Sequence, residues 1–368
     1  MDLSQKILKQ LIQIKSYSGQ EKKLADFIMD FCKKNNLPAE NQDGNIIIKY
    51  LTNSQKCLIF NAHMDTINEG DINLWHYPPF GKESAIIKDE KMYGLGASDD
   101  KASIVSLLLT ALAFKDKKPP LDLFFVFVTK EETDGSGTHS FIYYFKKKYL
   151  KSYQEIAAVL TEPTNNNFVE IGHRGNYFIK IITSGQSGHG ANPSIIKKQA
   201  IEEMFVLYSK MKLLGKKLQK KFFDKDLGLP TFSLTGIKSV NGPPNKIPSS
   251  CYSIWDIRTT PKLHEQLLTI LKENLGNKIK IELVAKPGSY ALTNPKEKIV
   301  QVFKKIIPDI KIKISIGSSD IWLFSDCEIH AISFGPGNKE KIHQENEYVE
   351  VKNIDKAKSI YLKLINVY

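Results

Sequence analysis

Residues 121–132 read LDLFFVFVTKEE, and residues 57–65 read CLIFNAHMD. In each stretch a short, continuous apolar run ends in residues that can bind a metal ion or carry a proton. Similar runs bounded by turn residues occur at 45–50, 157–160 and 331–334. Because helical patterns such as the one at 101–114 lie between these runs, the sequence predicts an α/β fold. Apolar runs without alternation are typical of strands buried on both faces, so we expect a mostly parallel sheet with helices on both faces.

Metal-capable side chains follow four of these predicted strands. An open α/β sheet places its functional site at the carboxyl ends of its strands. A fifth, acidic pair follows the glycine-rich turn YGLGAS and precedes the helical pattern. The residues gathered in this way are His63, Asp65, Asp99, Asp100, Glu131, Glu132, Glu162 and His343. One such coincidence would carry little weight, but five at one sheet edge predict a metal site.

Each of these residues, taken alone, could also have an ordinary structural role. His63 could be a hydrogen-bonded core histidine, although a carboxylate at Asp65 would suit the orientation of a metal-bound imidazole. Asp99 and Asp100 could cap the helix at 101–114. The others could be a solvated loop pair, a turn residue and a surface histidine, in the order Glu131 with Glu132, Glu162 and His343.

A different order of elements follows residue 176. The patterns there predict strand, helix, strand, strand, helix and strand at Tyr177–Thr183, Ser194–Leu214, Thr231–Val240, Cys251–Thr259, Lys262–Leu275 and Lys278–Ala285. This βαββαβ order is that of the ferredoxin-like unit. We therefore expect a catalytic domain at 1–175 and 288–368, with an inserted ferredoxin-like α+β domain at 176–287.

The composition limits the class of protein. The chain has 368 residues, of which 42% are apolar and 25% charged, so a disordered or fibrous protein is excluded. The net charge of +12 raises the alternative of a nucleic-acid partner. However, every basic residue except Arg174 and Arg258 is a lysine, and the lysines are dispersed as on a solvated surface. We expect no nucleic-acid partner, and we expect the two arginines to lie where a planar, bidentate group is needed.

Cysteine usage and apolar segments predict the compartment. Cys32, Cys57, Cys251 and Cys327 are far apart and form no CxxC pair, which favours buried thiols in a reducing compartment. The first residues lack the continuous apolar core of a signal peptide. The longest apolar stretch, at 104–114, is too short to cross a bilayer. We expect a cytoplasmic protein with no membrane partner.

Eleven segments, in order along the chain, carry a resemblance to one family. They are NAHMDT at 61–66, WHYPPF at 75–80, YGLGASDDK at 93–101, KEETDGSGT at 130–138, LTEPT at 160–164, GHRG at 172–175, SGHGANP at 187–193, NKIP at 245–248, DIRTTP at 256–261, GSSD at 317–320 and FGPGNKEKIHQENEYV at 334–349. With these segments the chain resembles the dinuclear zinc amidohydrolases, which include acetylornithine deacetylase, succinyl-diaminopimelate desuccinylase, aminoacylase and the glutamate-releasing carboxypeptidases.

The resemblance implies two zinc ions, with cobalt or manganese as substitutes. Asp99 would bridge the two ions. His63 and Glu162 would complete one coordination sphere, and Glu132 and His343 would complete the other. Such mixed imidazole and carboxylate ligation is typical of hydrolytic zinc.

The resemblance also implies three catalytic roles. Asp65 would hold the His63 ring, and Glu131 would take a proton from the attacking water and deliver it to the leaving amine. His189, in the inserted domain, would stabilise the oxyanion in the site of a partner subunit, so that the inserted domain would be both a lid and a dimerisation domain. Asp100 and Lys130 depart from the usual family pattern, but neither departure removes a ligand.

The substrate implied is a small N-acyl amino acid, of the acetylornithine or succinyl-diaminopimelate type. Arg258, with Asn245 and Gly317, Ser318 and Ser319, would bind its α-carboxylate. For Arg174 we expect a structural role at the domain junction. The alternatives are a dipeptidase or carboxypeptidase of the same fold and, more remotely, an inactive scaffold or a nucleic-acid binder.

Overall fold

Helices and strands alternate along the chain in the computed structural model, which describes residues 1–239, 242–276 and 279–368. The helices are α1 (Leu3–Gln13), α2 (Lys22–Lys34), α3 (Ala102–Leu112), α4 (Ser136–Lys148), α5 (Ala200–Lys221), α6 (Pro261–Leu275), α7 (Lys298–Ile306), α8 (Ile321–Ser325) and α9 (Lys352–Val367). The strands are β1 (Ala39–Gln42), β2 (Asn45–Tyr50), β3 (Lys56–His63), β4 (Ile86–Lys88), β5 (Lys91–Tyr93), β6 (Asp122–Val128), β7 (Glu155–Leu160), β8 (Phe168–His173), β9 (Gly175–Ser184), β10 (Gly188–His189), β11 (Thr231–Ser239), β12 (Lys246–Ile247), β13 (Ser250–Thr259), β14 (Lys280–Leu283), β15 (Ala291–Leu292), β16 (Lys311–Ser315), β17 (His330–Ser333) and β18 (Tyr348–Glu350). Short helical turns lie at Ile72–Leu74, Ala97–Lys101, Leu150–Ser152 and Pro193–Ile195.

The main sheet has the order β1-β2-β6-β3-β7-β17-β8-β15, and β16 also pairs with β8. Its central strands β6, β3, β7 and β17 are parallel. Strands β1 and β2 on one side and β8 on the other pair antiparallel with their neighbours. β6 is buried along its whole length, as a continuous apolar run between parallel neighbours requires. The predicted α/β class with a mostly parallel sheet is confirmed.

Helix α3 shows why these segments fold as they do. Its residues are apolar on all sides apart from serine and threonine, and ten of them, Ala102–Ala111, are buried. A helix that is apolar all round is stable only inside the protein. α3 accordingly packs against α9 and α1 and contacts β3 and β6.

The chain divides into two compact units. The first comprises Met1–Gly172, Leu292–Lys313 and Ser319–Tyr368, and the second comprises His173–Ala291 and Ile314–Ser318. The second unit contains an antiparallel sheet of order β11-β13-β9-β14. With α5 and α6, this is the ferredoxin-like arrangement predicted from the βαββαβ order.

The helix expected at Ser194–Leu214 differs from the prediction at both ends. Pro193–Ile195 form a separate short turn, and α5 runs from Ala200 to Lys221. The helix continues past Leu214 because Leu218 extends its buried face by one further turn. Two other predicted ends, Val240 and Lys278, lie outside the described residues.

The cysteines are free thiols, and Cys32, Cys57 and Cys251 are buried whereas Cys327 is half-buried. Buried thiols were expected from the sequence. In the described part of the chain, no helix is both long and apolar enough to cross a membrane. The compartment itself stays a prediction.

Candidate metal centre

Three neighbouring parallel strands deliver predicted site residues to one edge of the main sheet. β3 ends at His63, which pairs in register with Val128 at the end of β6. β6 is followed by Glu131 and Glu132, and β7 is followed by Glu162. Because β3 pairs in parallel with both β6 and β7, the loops after all three strands start at the same sheet edge.

Three contacts of hydrogen-bond length connect four of the predicted ligands. His63 Nε2 is 2.9 Å from Asp99 Oδ1. His343 Nε2 is 3.3 Å from Asp99 Oδ2 and 3.0 Å from Glu132 Oε1. Ligand atoms of His63, Asp99 and Glu132 all lie within 4.8 Å of one another, so one cation could contact all three. The carboxylate of Asp99 therefore lies between two imidazoles, with one oxygen facing each.

The carboxylate of Asp65 fixes the loop that carries the two glutamates. It is fully buried. Its Oδ1 accepts a hydrogen bond from the Glu131 N–H at 3.0 Å, and its Oδ2 accepts from the Glu132 N–H at 3.1 Å and the Ser18 hydroxyl at 2.6 Å. The Nδ1 of His63 lies 2.9 Å from the main-chain oxygen of Asp65 and 3.6 Å from its Oδ1. Of the two contacts that Asp65 makes with the His63 ring, the closer is thus made by its main chain, while its side chain holds the loop after β6.

Burial and mutual repulsion oppose ionisation of three carboxyl groups in this region. Burial, together with Glu162 and Asp320, raises the pKa of Glu131 well above its usual value. Burial and the charge of Asp99 raise the pKa of Glu162 to about 8. Burial also raises the pKa of Asp320 to about 7. Burial is the main cause of these shifts, and repulsion between neighbouring carboxylates adds to it.

The two imidazoles respond to the same charge. Hydrogen bonds with Asp99 and Glu132 raise the pKa of His343 to about 10. Burial disfavours the charged ring of His63, but Asp65 and Asp99 still raise its pKa well above the usual value. Burial likewise opposes ionisation of Asp99, yet its bonds with His343 and His63 hold its pKa well below the usual range. Both imidazoles thus hold a proton more tightly than usual, whereas an imidazole must be neutral in order to bind a metal.

The donors of this cluster fit a divalent metal centre. Two imidazole nitrogens and several carboxylate oxygens are the ligand types that zinc takes in hydrolytic enzymes. Protons are held where a cation would neutralise the same negative charge, so metal binding would displace them. Both the chemistry and the spacing of the side chains therefore agree with the predicted metal site.

The segment that carries Asp99 is not a helix cap. α3 begins at Ala102, and Lys101 occupies its cap position without making a side-chain capping bond. Asp99 and Asp100 have non-helical backbone angles, and the peptide bond between them is cis. The helix-cap alternative is therefore wrong. Asp100 is buried, its Oδ2 accepts from the Thr161 hydroxyl at 3.3 Å, and burial raises its pKa well above the usual value.

Three buried charged residues near the cluster are missed by the sequence argument. The carboxylate of Glu347 accepts a hydrogen bond from the Asp99 N–H at 3.0 Å. Lys101 Nζ donates to the Ile14 carbonyl at 2.9 Å. Asp320 Oδ2 is buried and has no hydrogen-bond partner within the described ranges. Each lies inside one of the eleven family-like segments, and the available signal was a charged residue directly before an apolar run.

In the second unit, His189 and Asn245 lie side by side. β10 and β12 pair antiparallel and bring the two loops together. The Gly190 N–H donates to the Asn245 carbonyl at 2.7 Å, and Asn245 Nδ2 is 3.3 Å from His189 Nε2. The Ala191 N–H donates to His189 Nδ1 at 3.1 Å. The His189 side chain is otherwise exposed, and its Nε2 side faces the Asn245 amide.

The guanidinium of Arg258 is bonded within the same unit. Its Nε and Nη2 donate to the two oxygens of Asp256 at 2.8 and 2.9 Å. Its Nη1 donates to the Ser318 hydroxyl at 2.9 Å. The bidentate side of Arg258 thus faces Asp256, and Nη1 is the nitrogen beside Ser318. Arg174 donates through Nη1 to the Leu229 carbonyl, which ties it to the main chain.

The predicted turn at 317–319 divides between the units. Gly317 and Ser318 belong to the second unit, and Ser319 belongs to the first. The Ser319 hydroxyl is buried and lacks a hydrogen-bond partner in the ranges that the structure describes. Within this turn, Ser318 is the residue that forms a hydrogen bond with Arg258.

Fold and site together define an α/β enzyme with imidazole and carboxylate donors gathered at the carboxyl ends of its parallel strands. The chain belongs to Peptidase family M20/M25/M40, whose family model matches residues 59–367. The predicted family resemblance is therefore confirmed.

Several known proteins are similar to this chain. The succinyl-diaminopimelate desuccinylase of Wigglesworthia glossinidia brevipalpis is 29% identical over 331 residues, which cover 84% of this chain and 82% of that protein. The acetylornithine deacetylase of Buchnera aphidicola subsp. Schizaphis graminum is 29% identical over 325 residues, covering 84% and 80%. Among solved structures, the M20 family metallo-carboxypeptidase Sso-CP2 from Sulfolobus solfataricus superposes with a TM-score of 0.80 at 17% identity and covers 100% of this chain and 99% of that one. The last similarity shows a shared fold.

Proposed function

We propose that the protein is a zinc-dependent hydrolase that cleaves the amide bond of a small N-acyl amino acid. The observation that carries this proposal is the cluster of His63, Asp99, Glu132 and His343 at the carboxyl ends of parallel strands. Sequence similarity to a desuccinylase and a deacetylase supports a substrate of the succinyl-diaminopimelate or acetylornithine type.

Five side chains would hold two divalent metal ions. Asp99 would be shared, with His63 and Glu162 on one side and Glu132 and His343 on the other. When bound, the ions would supply Lewis-acid chemistry, acidifying water and polarising the scissile carbonyl. Zinc is the proposed ion, with cobalt or manganese as substitutes.

Glu131 is the proposed general base and acid. It would accept a proton from the attacking water and return it to the leaving amine nitrogen. Burial raises the pKa of this carboxyl group well above its usual value, which favours uptake of the proton from the water. The hydrogen bond from its N–H to Asp65 holds the loop in place for this transfer.

The second unit would supply the contacts to the substrate. His189, beside Asn245, would stabilise the oxyanion of the tetrahedral intermediate. Arg258 would bind the α-carboxylate together with Asn245 and the turn from Gly317 to Ser319. Because Asp256 occupies Nε and Nη2, we propose that the carboxylate binds through Nη1 and the Ser318 hydroxyl.

We also propose a homodimer formed through the second unit. Its helix α5 exposes Phe205, Val206 and Leu213, and its edge strand β11 exposes Leu234 and Ile237. An edge strand offers unpaired main-chain groups, and large exposed apolar side chains are typical of an interface. In such a dimer His189 would act in the partner's site.

Mixing two inactive variants tests this arrangement. Glu131→Ala and His189→Ala, allowed to exchange subunits, should form mixed dimers with one intact site and one doubly altered site. With random pairing half of the dimers are mixed, so activity should return to roughly a quarter of the wild-type value. Absence of recovery despite proven exchange would place His189 in its own subunit's site or outside catalysis.

The proposed location is the cytoplasm, and no nucleic-acid or membrane partner is proposed. Buried free thiols support a reducing compartment. The dispersed lysines support a solvated basic surface. Retention of the protein on a nucleic-acid column at physiological salt would contradict the second point.

A dipeptidase or carboxypeptidase is the second candidate. It is favoured by the family's peptidase members and by the shared fold with a metallo-carboxypeptidase. The same donors and the same base would cleave a peptide bond. The two candidates differ in the group on the acyl side of the scissile amide.

A screen for released amine separates these candidates. N-acetylornithine, N-succinyl-diaminopimelate, N-acyl neutral amino acids and dipeptides would be offered to the zinc-loaded protein. We expect the highest kcat/KM with an N-acyl diamino acid. A preference for dipeptides would favour the second candidate, and no release from any amide would contradict both.

A further inference from the structure

The side chain of Glu347 forms hydrogen bonds with the main chain that carries Asp99. Its side chain is buried, with 2% of the residue exposed. Its Oε1 accepts hydrogen bonds from the Ser98 N–H at 2.7 Å and the Asp99 N–H at 3.0 Å. Its Oε2 accepts from the Gly96 N–H at 2.8 Å. One carboxylate thus satisfies three neighbouring main-chain donors of a segment that is not regular helix.

The segment around Glu347 makes further bonds to the same loop. The Gly94 N–H donates to the Glu347 carbonyl at 3.0 Å. The Ser98 hydroxyl donates to the Tyr348 carbonyl at 2.7 Å. β18 then continues the contact by pairing antiparallel with β5. Since His343 lies four residues before Glu347, a single short segment carries one proposed ligand and holds the main chain of another.

The loop held in this way has little freedom. Gly96 has a φ of 76°, and a Cβ added there would lie 2.6 Å from Thr66 Cγ2 and 3.1 Å from Lys101 Cε. The buried amino group of Lys101 donates to the Ile14 carbonyl at 2.9 Å. Burial lowers the pKa of this group to about 7, and the nearby charge of Glu347 opposes that shift. The loop is therefore enclosed by side chains on one side and by the Glu347 carboxylate on the other.

We propose that Glu347 is a positioning residue, which fixes the main chain at Asp99 and so directs the Asp99 carboxylate between His63 and His343. This inference rests on the proposed metal centre. Groups that hold metal ligands in place preorganise a site, and their loss weakens metal binding even though they never touch the ion.

The role requires a carboxylate. Glutamine has nearly the same shape, but one of its two terminal atoms is a donor. If the NH2 group takes the Oε1 position, it faces the N–H groups of Ser98 and Asp99; if it takes the Oε2 position, it faces the N–H of Gly96. Either orientation leaves at least one buried donor without its acceptor.

The test compares metal binding by the wild-type protein, Glu347→Gln and a control, Glu345→Gln. Glu345 is the control because it lies on the same segment, is only half-buried and accepts a long bond of 3.4 Å from the Asp71 N–H. Metal-free samples would be titrated with zinc by calorimetry and with cobalt by visible absorption, with circular dichroism to verify the fold. We expect Glu347→Gln to bind metal about 10- to 100-fold more weakly and to give a changed cobalt spectrum, whereas Glu345→Gln should match the wild type.

The outcomes separate this inference from the proposed function. Failure of the wild type to bind zinc or cobalt would overturn both. Wild-type affinity and an unchanged cobalt spectrum in Glu347→Gln would overturn the positioning role alone. If Glu347→Gln does not fold, hydrogen exchange of the wild-type, metal-free protein decides: slow exchange at Gly96, Ser98 and Asp99 is expected, and exchange as fast as in an open loop would refute the role.

Discussion

An Asp65→Asn variant would keep the size of the side chain while replacing one carboxylate oxygen with an amide donor. In the native protein each oxygen of Asp65 accepts a main-chain bond, one from Glu131 at 3.0 Å and one from Glu132 at 3.1 Å. In asparagine only one position can accept. Whichever way the amide turns, the N–H of one glutamate faces a donor inside the protein.

The size of the effect follows from this geometry. A lost hydrogen bond to a charged acceptor costs about 1.5–3 kcal/mol, so we expect the free energy of unfolding to fall by that amount. The freed N–H would also let Glu131 or Glu132 move. A displacement of about 1 Å at a catalytic group can lower turnover by about 100-fold. Both effects should therefore appear in the same variant.

Urea unfolding of the metal-free protein and steady-state turnover of the metal-loaded protein measure the two quantities. Asp71→Asn is the control, because the carboxylate of Asp71 is exposed and makes local bonds such as the one from the Asn73 N–H at 3.0 Å. Its stability should change by less than about 0.5 kcal/mol. An Asp65→Asn variant as stable and as active as the wild type would refute the role assigned to this carboxylate.

Three further predictions concern chemistry, recognition and pH. Glu131→Gln should keep its metal content and lose about 10²–10⁴-fold in turnover, because an amide cannot carry the proton; loss of metal with unchanged turnover would make Glu131 a ligand instead. Arg258→Lys should raise KM for substrates with a free α-carboxylate, and much less for their α-amides, because an ammonium cannot reproduce the planar fork that bonds Asp256 while Nη1 faces Ser318. Equal penalties on both substrates would contradict a role of Arg258 in carboxylate recognition. Burial raises the pKa of Glu162 to about 8, and hydrogen bonds with Asp99 and Glu132 raise the pKa of His343 to about 10. Both values exceed those of the unfolded chain, so the folded, metal-free protein binds more protons than the unfolded chain does between about pH 5 and 8. Its melting temperature should therefore fall as the pH rises from about 5 to 8, and added zinc should remove the fall; a rise with pH would contradict this charge assignment.

The strands could be predicted because a short, continuous apolar run between turn residues is typical of a buried strand. The apolar run CLIF at 57–60, which opens the stretch CLIFNAHMD, predicts a strand and is part of β3, which extends to His63. The prediction stopped early because Asn61 and His63 are polar, yet both are buried and continue the pairing with β6. Functional sites often place polar residues at the end of a buried strand, and there the apolar pattern no longer predicts where the strand ends.

The hydrogen bonds that support the site residues differ in how far the sequence predicts them. The sequence is enough to predict that Asp256 and Arg258 can pair, since residues two apart on a strand share a face. The bonds of Glu347 were not, because they join segments about 250 positions apart along the chain. Such a contact depends on how two loops pack, which no local periodicity encodes.

Amide hydrolysis measured before metal removal, after it and after metal is added back tests the central claim most directly. The nucleophile is available at neutral pH only with the metal in place, so a chelated, dialysed preparation should be inactive. Activity should return with zinc or cobalt and level off at two ions per chain. Full activity in a preparation shown to be free of metal would contradict the account.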